Sequence, residues 1–582
     1  MNNFEREEIN GELMEFGVQE SIRDSYRQPQ RRKESNSKNF TRIMSAIQNG
    51  DVLTLQQLSE HPASFRERDI RGWLPLHSAA VHPHIQVLEA VLQASTELTL
   101  EELTANGDTA LILAVEAGLV DNVTVLLKHG VSPHNTNDRN ESPLLLAVRQ
   151  KSYEMALALI MGGAFVEQVC LKKWTAIHEV AKVGCPAILM LLLRHGAKVT
   201  SRDGHGVTPL SIAAEHGNTE VLEILIQHGG DVNAQATNGD TVLYDASGNG
   251  NLDCIELLLE HGADPNVQSN AFQLPVHRAA YEGHILALRT LLPLTSKKAI
   301  CMSGHSPVHA AADGGQPQCL QLLIDSGFDV NVQLATYMSE NYGDLRRSPL
   351  YFAVCNGDVT CAQMLLEAGA RSDLDPLRCI LVAIRAERYE LVRLLLSYGA
   401  DVNCYFNAIS HTVFPTGLQY CLRDPFMLRL LLNSGYDANR CFQCCCGVSE
   451  ELDSTWADLH NQAYQIYSQP DAITFCEFVS VSWLKEHVVG GVVRMLLDYV
   501  SHVNLCPKLL KILEDQPEWE EISGILSSPR SLQHLCRLII RGHISPKTLN
   551  NPGAMSEVPL PSRVKNYLTY KEYDLYGDLS SL

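Results

Sequence analysis

GVTPLSIAAEHGNTEVLEILIQHGGDVN, residues 206–233, decides the fold. Thr208 suits the cap of a helix start, and Pro209 takes the first helical position, where its missing N–H leaves nothing unpaired. Leu210 then points inward, and Ala213 and Ala214 are small enough for neighbouring helices to approach closely. A second apolar run starts at Val221 and stops before Gly229, a residue type that ends helices in the left-handed conformation. Asp231, Val232 and Asn233 suit a tight turn. Two helices this short cannot bury their apolar faces alone, so the segment needs neighbours of its own kind.

Such neighbours recur along the chain. The slot of Leu210 is filled in turn by Leu76, Leu111, Leu144, Ile177, Leu210, Leu243, Val276, Val308 and Leu350, in steps of 35, 33, 33, 33, 33, 33, 32 and 42 residues. GWLPLHSAA from Gly72, KWTAIHEVA from Lys173 and FQLPVHRAA from Phe272 repeat the surrounding pattern. A period near 33 with a T-P-L-H-x-A signature resembles the ankyrin repeat. It implies an all-α fold, a solenoid of helix–turn–helix units joined by short β-turn or hairpin loops. Weaker copies occur at residues 43–58, where an N-terminal cap is expected, and from Ile380 and Gly417. They bring the count to about 12 units over residues 37–443. The 42-residue step marks an insertion of roughly nine residues near Gln333–Arg347, on a turn between units.

The composition narrows the function. Of 582 residues, 67 are acidic and 46 basic, a formal net charge of −21 that argues against duplex nucleic acid as the main ligand. The polar, acidic start MNNFEREEINGELMEF lacks a secretory signal's pattern, and no stretch reaches about 18 uninterrupted apolar residues, so no membrane span is expected. The 17 cysteines, scattered and odd in number, read as reduced thiols of a cytoplasmic protein, with a nuclear pool as the second expectation.

Residues with catalytic or ligating chemistry find structural explanations. His77, His178, His277 and His309 share one slot of the signature, and His129, His195, His228 and His261 each precede a helix-ending glycine. No zinc-protease, Walker, nucleophile-elbow or dinucleotide motif occurs, so no catalytic residues and no cofactor are expected. Cys441, Cys444, Cys445 and Cys446 form C-x-x-C-C-C. A zinc site would need spaced donors from a second segment, such as Cys476, and adjacent cysteines cannot all reach one tetrahedral ion. The expectation is ordinary thiols without a metal.

The amino-terminal arm, residues 1–36, carries six acids between residues 4 and 20, then the basic run Arg31–Lys33 in a polar linker. EFGVQESIRDS resembles a ubiquitin-interacting helix: Phe16, Gly17, Val18, Ser21 and Asp24 are the candidate contacts. Gly17 replaces the usual alanine and weakens the helix by about 1 kcal/mol. Glu20 stands where an apolar residue is expected, and a plain acidic amphipathic helix is the competing reading.

Past residue 446 the repeat register is lost. FCEFVSVSWLKEHVVGGVVRMLLDYV, residues 475–500, suggests a strand-like piece and an apolar helix, and KLLKILEDQPEWEEISGIL from Lys508 two more short helices. Residues 444–524 are expected to cap the open end of the array. Ser528 and Pro529 then suit a helix start, and Leu532, Leu535, Cys536, Ile539 and Ile540 fall on one stripe at i, i+3, i+4, i+7 and i+8. Arg530, Gln533, Arg537 and Arg541 occupy the other faces, which makes this segment locally basic.

Ser531, Leu532, Cys536 and Ile540 match the defining slots of an Elongin B/C-binding box. Val558, Pro559, Leu560 and Pro561 match a cullin box, with valine where leucine is commoner, and Tyr567 to Tyr570 resemble its usual continuation. Ending an ankyrin array, this order resembles the ankyrin repeat and SOCS box family, notably its long members. The resemblance places a SOCS box at 525–575 and a tail at 576–582. It implies that Ser531, Leu532, Leu535, Cys536, Ile539 and Ile540 meet Elongin B/C, and that residues 558–561, extended and pre-ordered, meet cullin-5 with its RING-box protein. The implied role is that of a substrate receptor of a ubiquitin ligase, with no chemistry of its own. A scaffold that binds Elongins without ubiquitin transfer is the alternative, and a thiol- or zinc-dependent catalyst using residues 441–446 a distant third.

Overall fold

The Thr208 hydroxyl accepts the Ser211 N–H at 3.3 Å and opens the helix Pro209–Glu215, and Thr219–Gln227 follows after a tight turn. Leu210, Ala213 and Ala214 are buried, as are Val221, Leu222 and Leu225 on the second helix. Gly229 adopts φ +91°, the left-handed turn at which the chain leaves the pair. The computed structural model describes residues 38–95, 97–406, 411–444 and 472–573. Among the described residues there is no strand, only isolated bridges at Gln235–Thr241 and Thr412–Ile473. Among them also, no helix is long and apolar enough to cross a membrane.

The chain divides into two compact units, residues 1–198 and 199–582. The first holds five helix pairs, from Lys38–Asn49 with Val52–Leu58 to Ala176–Val183 with Pro186–Arg194. The amino-terminal pair buries Phe40, Ile43, Ala46, Ile47, Leu55 and Leu58. The second unit begins with seven pairs, from Pro209–Glu215 with Thr219–Gln227 to Gly417–Cys421 with Pro425–Asn433. Within it, first helices of successive pairs lie side by side, Pro209–Glu215 on Val242–Asn249 and Pro275–Glu282 on Pro307–Asp313. The small buried residues of the first two, Ala213 and Ala214 on one and Ala246 and Ser247 on the other, permit that approach. The insertion forms a one-turn helix, Thr336–Ser339, closed off where the Leu334 N–H donates to the Arg347 carbonyl at 2.8 Å.

Among the described residues beyond the last pair the regular elements are all helical, which corrects the strand-like reading at residue 475. Thr474 and Glu477 form a capping box, the Thr474 N–H donating to Glu477 Oε2 at 3.0 Å, and this starts a helix over Phe475–Phe478. Ser482–His487, Val489–Leu497, Pro507–Leu513 and Trp519–Ser527 follow. Val489–Leu497 lies against Pro425–Asn433, burying Val492, Val493, Leu496 and Leu497. Asp498 joins the two, paired at 2.8 Å to both Arg429 and Arg494.

A helix with its apolar face outward

The Ser531 side chain accepts the His534 N–H at 3.2 Å and caps the helix Leu532–His543. Ordinary amphipathic logic would turn its leucines and isoleucines inward. The opposite is found. Leu532 is 77% exposed and Ile539 62%, with Cys536 and Ile540 exposed beside them and Leu535 half-buried. Arg537, by contrast, is only 4% exposed.

The inward side is a polar stripe at four-three-four spacing, Arg530, His534, Arg537 and Arg541. Arg530 donates to the Leu497 carbonyl at 2.7 Å, His534 Nε2 lies 2.8 Å from the Val500 carbonyl, and Arg541 donates to the Asn433 carbonyl at 2.6 Å and to that of Leu568. The Asn433, Leu497 and Leu568 carbonyls end the helices Pro425–Asn433, Val489–Leu497 and Ser562–Leu568, where partial negative charge collects. Arg537 pairs with Glu572 and lies over the rings of Tyr567, at 3.3 Å, and Tyr570, at 4.2 Å. A buried guanidinium is tolerable only with such partners. Desolvation lowers the pKa of Arg541 from its ordinary value. The local basicity expected from sequence is therefore spent inside the molecule. Its signal was legible: the four polar residues keep a helical stripe as regular as the apolar one.

Residues 558–561 lie on a bend before the helix Ser562–Leu568. Val558 (φ −60°, ψ 132°) and Pro561 (φ −57°, ψ 144°) have extended, polyproline-like backbones. Between them the Leu560 N–H donates to the Val558 carbonyl at 2.8 Å, a tight turn where the sequence suggested a wholly extended segment. Pro559 and Pro561 are exposed, Val558 and Leu560 half-buried, and Lys565 Nζ braces the bend from the Ser556 carbonyl at 2.5 Å. An open groove runs between this helix and Leu532–His543, lined by Cys536, Ile540, Val564 and Tyr567. Leu568 and Tyr570 are fully buried beneath it.

The four signature histidines are buried, and each Nδ1 accepts the backbone N–H at its own helix start, at 3.0 Å for His77 and His277 and 3.2 Å for His178 and His309. Burial lowers the pKa of His277 to about 3 and of His309 to about 4, so both rings are neutral caps. His129, His228 and His261 each place Nδ1 on the carbonyl four residues back, at 2.8–2.9 Å. The cysteine-rich stretch divides: Cys441 is buried, while Cys444 meets Cys476 and Cys506. Cys445 and Cys446, and the candidate ubiquitin contacts Phe16, Gly17, Val18, Ser21 and Asp24, lie outside the described residues.

Comparison with known proteins finds relatives over most of the chain. The family described as Ankyrin repeats (3 copies) matches residues 43–137, 96–170, 144–236, 177–269 and 334–405, and Ankyrin repeat matches 303–334. The SOCS box family matches residues 528–569. Ankyrin repeat and SOCS box protein 14 of Mus musculus is 43% identical over 541 residues, which is 93% of this chain and 91% of that protein. Its Homo sapiens counterpart is 43% identical over 546 residues, with the same coverage. Ankyrin repeat and SOCS box protein 3 of Bos taurus is 32% identical over 547 residues, 90% of this chain and 93% of that protein.

Proposed function

The chain belongs to the ankyrin repeat and SOCS box family, whose members serve as substrate adaptors of cullin–RING ubiquitin ligases, and we propose that it joins a cullin-5 ligase through Elongin B/C. The outward apolar face of Leu532–His543 carries this reading. Leaving Leu532 and Ile539 in water forgoes about 1.5–3 kcal/mol each, a cost that a partner's pocket recovers. Leu532 is the anchor, the small Cys536 allows close approach of the partner, and Leu535, Ile539 and Ile540 widen the buried stripe, with Ser531 fixing the helix start. Val558, Pro559, Leu560 and Pro561 dock on cullin-5, the two prolines limiting the conformational entropy lost on binding.

The work of this chain is proximity. The helix pairs hold a target protein while the cullin and its RING-box protein bring a charged ubiquitin-conjugating enzyme alongside, so effective concentration at a target lysine rises and bond-making stays with the other subunits. The arm with Phe16, Gly17, Val18, Ser21 and Asp24 is a further proposed contact, for ubiquitin.

The test is reconstitution with the full chain. Elongin B/C captures the wild type, and the pair then recruits cullin-5 and supports ubiquitin transfer to a bound target. Capture of Elongins without cullin-5, unchanged by substitution of Pro559 and Pro561, would replace this reading by that of a sequestering scaffold.

A further inference from the structure

We propose that Cys444, Cys476 and Cys506 hold a structural zinc ion as thiolates, stapling the chain between its last helix pair and the outward-facing helix. The three sulfur atoms lie within 4.8 Å of one another, with Cys444 Sγ 3.2 Å from Cys476 Sγ. Zinc–thiolate bonds of about 2.3 Å in a tetrahedron put sulfurs roughly 3.8 Å apart, within that spread. The donors come from three separate segments: Cys444 after the last pair, Cys476 in Phe475–Phe478, and Cys506 at the start of Pro507–Leu513. Convergence from three segments satisfies the requirement that adjacent cysteines alone cannot meet.

The surroundings place polar neighbours beside two of the sulfurs. The Leu509 N–H points at Cys506 Sγ, 3.4 Å away, and the Thr474 hydroxyl lies 3.2 Å from Cys476 Sγ, so two of the three sulfurs have a hydrogen-bonding neighbour able to stabilise negative charge. Cys476 is buried and the other two are half-buried, which shelters the site yet leaves an entry path. Soft sulfur donors in a tetrahedral arrangement favour zinc over magnesium or calcium. On coordination each thiol gives its proton to solvent, and the metal forms three zinc–sulfur bonds with one position left for a fourth donor or a water. The competing use of the same atoms is a disulfide between Cys444 and Cys476, which would need the sulfurs to close to about 2.05 Å and lose two electrons to an oxidant. The zinc proposal does not rest on the adaptor reading.

The full chain, purified under reducing conditions without chelator, is assayed for metal by elemental analysis and reconstituted with cobalt(II). The expected result is one zinc per chain, and with cobalt the intense visible bands of a tetrahedral thiolate site. Cys506→Ser and Cys476→Ser should lose the zinc and those bands, while Cys355→Ser, at an exposed cysteine in a repeat helix, keeps both. Chelation should lower the thermal midpoint of the wild type and leave that of Cys506→Ser unchanged. A wild type with neither zinc nor thiolate bands after cobalt addition overturns the proposal, whether or not the variants fold. So does zinc retained in full by both Cys506→Ser and Cys476→Ser, or a Cys444–Cys476 disulfide found by peptide mapping of the native protein.

Discussion

Two amphipathic helices of this chain face opposite ways. In Leu252–Glu260 the apolar residues Cys254, Ile255 and Leu258 are buried and the acids face water. In Leu532–His543 the arginines go inward and the leucine and isoleucines face water. Both show an apolar stripe at helical spacing, so the stripe identifies a contact surface without saying which molecule supplies the other half. The repeat helix finds its partner in the next repeat. The box helix is held by charge-assisted hydrogen bonds on its polar side, which leaves the apolar side in water.

The widest separation between the two should come from truncating one leucine in each. Leu258→Ala leaves a cavity and is expected to cost about 2–5 kcal/mol. Leu532→Ala should move stability by no more than about 0.5 kcal/mol. Urea unfolding of the two variants measures the gap, and equal losses would mean that Leu532 is packed in the native chain.

Acid should act next, on the buried histidines of the repeats. His277 and His309 have folded pKa values of about 3 and about 4, below the value near 6.5 of an unfolded chain. Below pH 6.5 the unfolded state therefore binds protons that the folded state refuses. Stability present above that pH is lost as pH falls toward 4, by on the order of 1 kcal/mol per pH unit for each histidine. His277→Asn, whose side-chain oxygen can still accept the Leu274 N–H, should flatten this slope. An unchanged pH profile would show that the ring is not the source.

Arg537→Ala removes the ion pair with Glu572 and the contacts over Tyr567 and Tyr570. The expected cost is about 1–3 kcal/mol, confined to the box. Hydrogen exchange should quicken over residues 562–573 and stay unaltered in residues 38–198; a loss shared by both regions would contradict a local role. The smallest effect is expected from Pro561→Ala. Freeing that backbone should weaken cullin-5 binding by about two- to fivefold, read by titration of the Elongin-bound chain, without altering Elongin capture.

The repeats were legible because each slot in them has a local cause. Thr208 caps, Pro209 starts, Leu210 packs and Gly229 turns, and none of these needs a distant residue to be understood. The box helix was legible as a stripe and as a set of identities, but its orientation was not. That depends on the Asn433, Leu497, Val500 and Leu568 carbonyls, which stand 27 to 108 residues away along the chain from the side chains that bind them. The helix at Phe475 differs from the strand-like expectation for a local reason. Its phenylalanines, and Val479 and Val481 just beyond them, favour strands, and the Thr474–Glu477 capping box outweighs them. Among the cysteines, spacing pointed to Cys476 as a donor from a second segment but gave no hint of Cys506, which folding brings in from thirty residues further on.

The outward face of Leu532–His543 is proposed as the Elongin-binding surface. Its most direct test is the affinity of the full chain for Elongin B/C, compared between the wild type and a Leu532→Ala, Cys536→Phe double variant of equal thermal stability. Loss of binding in the double variant, by about thirtyfold or more for an anchor residue of this kind, is the predicted result. Wild-type affinity in that variant would contradict the claim.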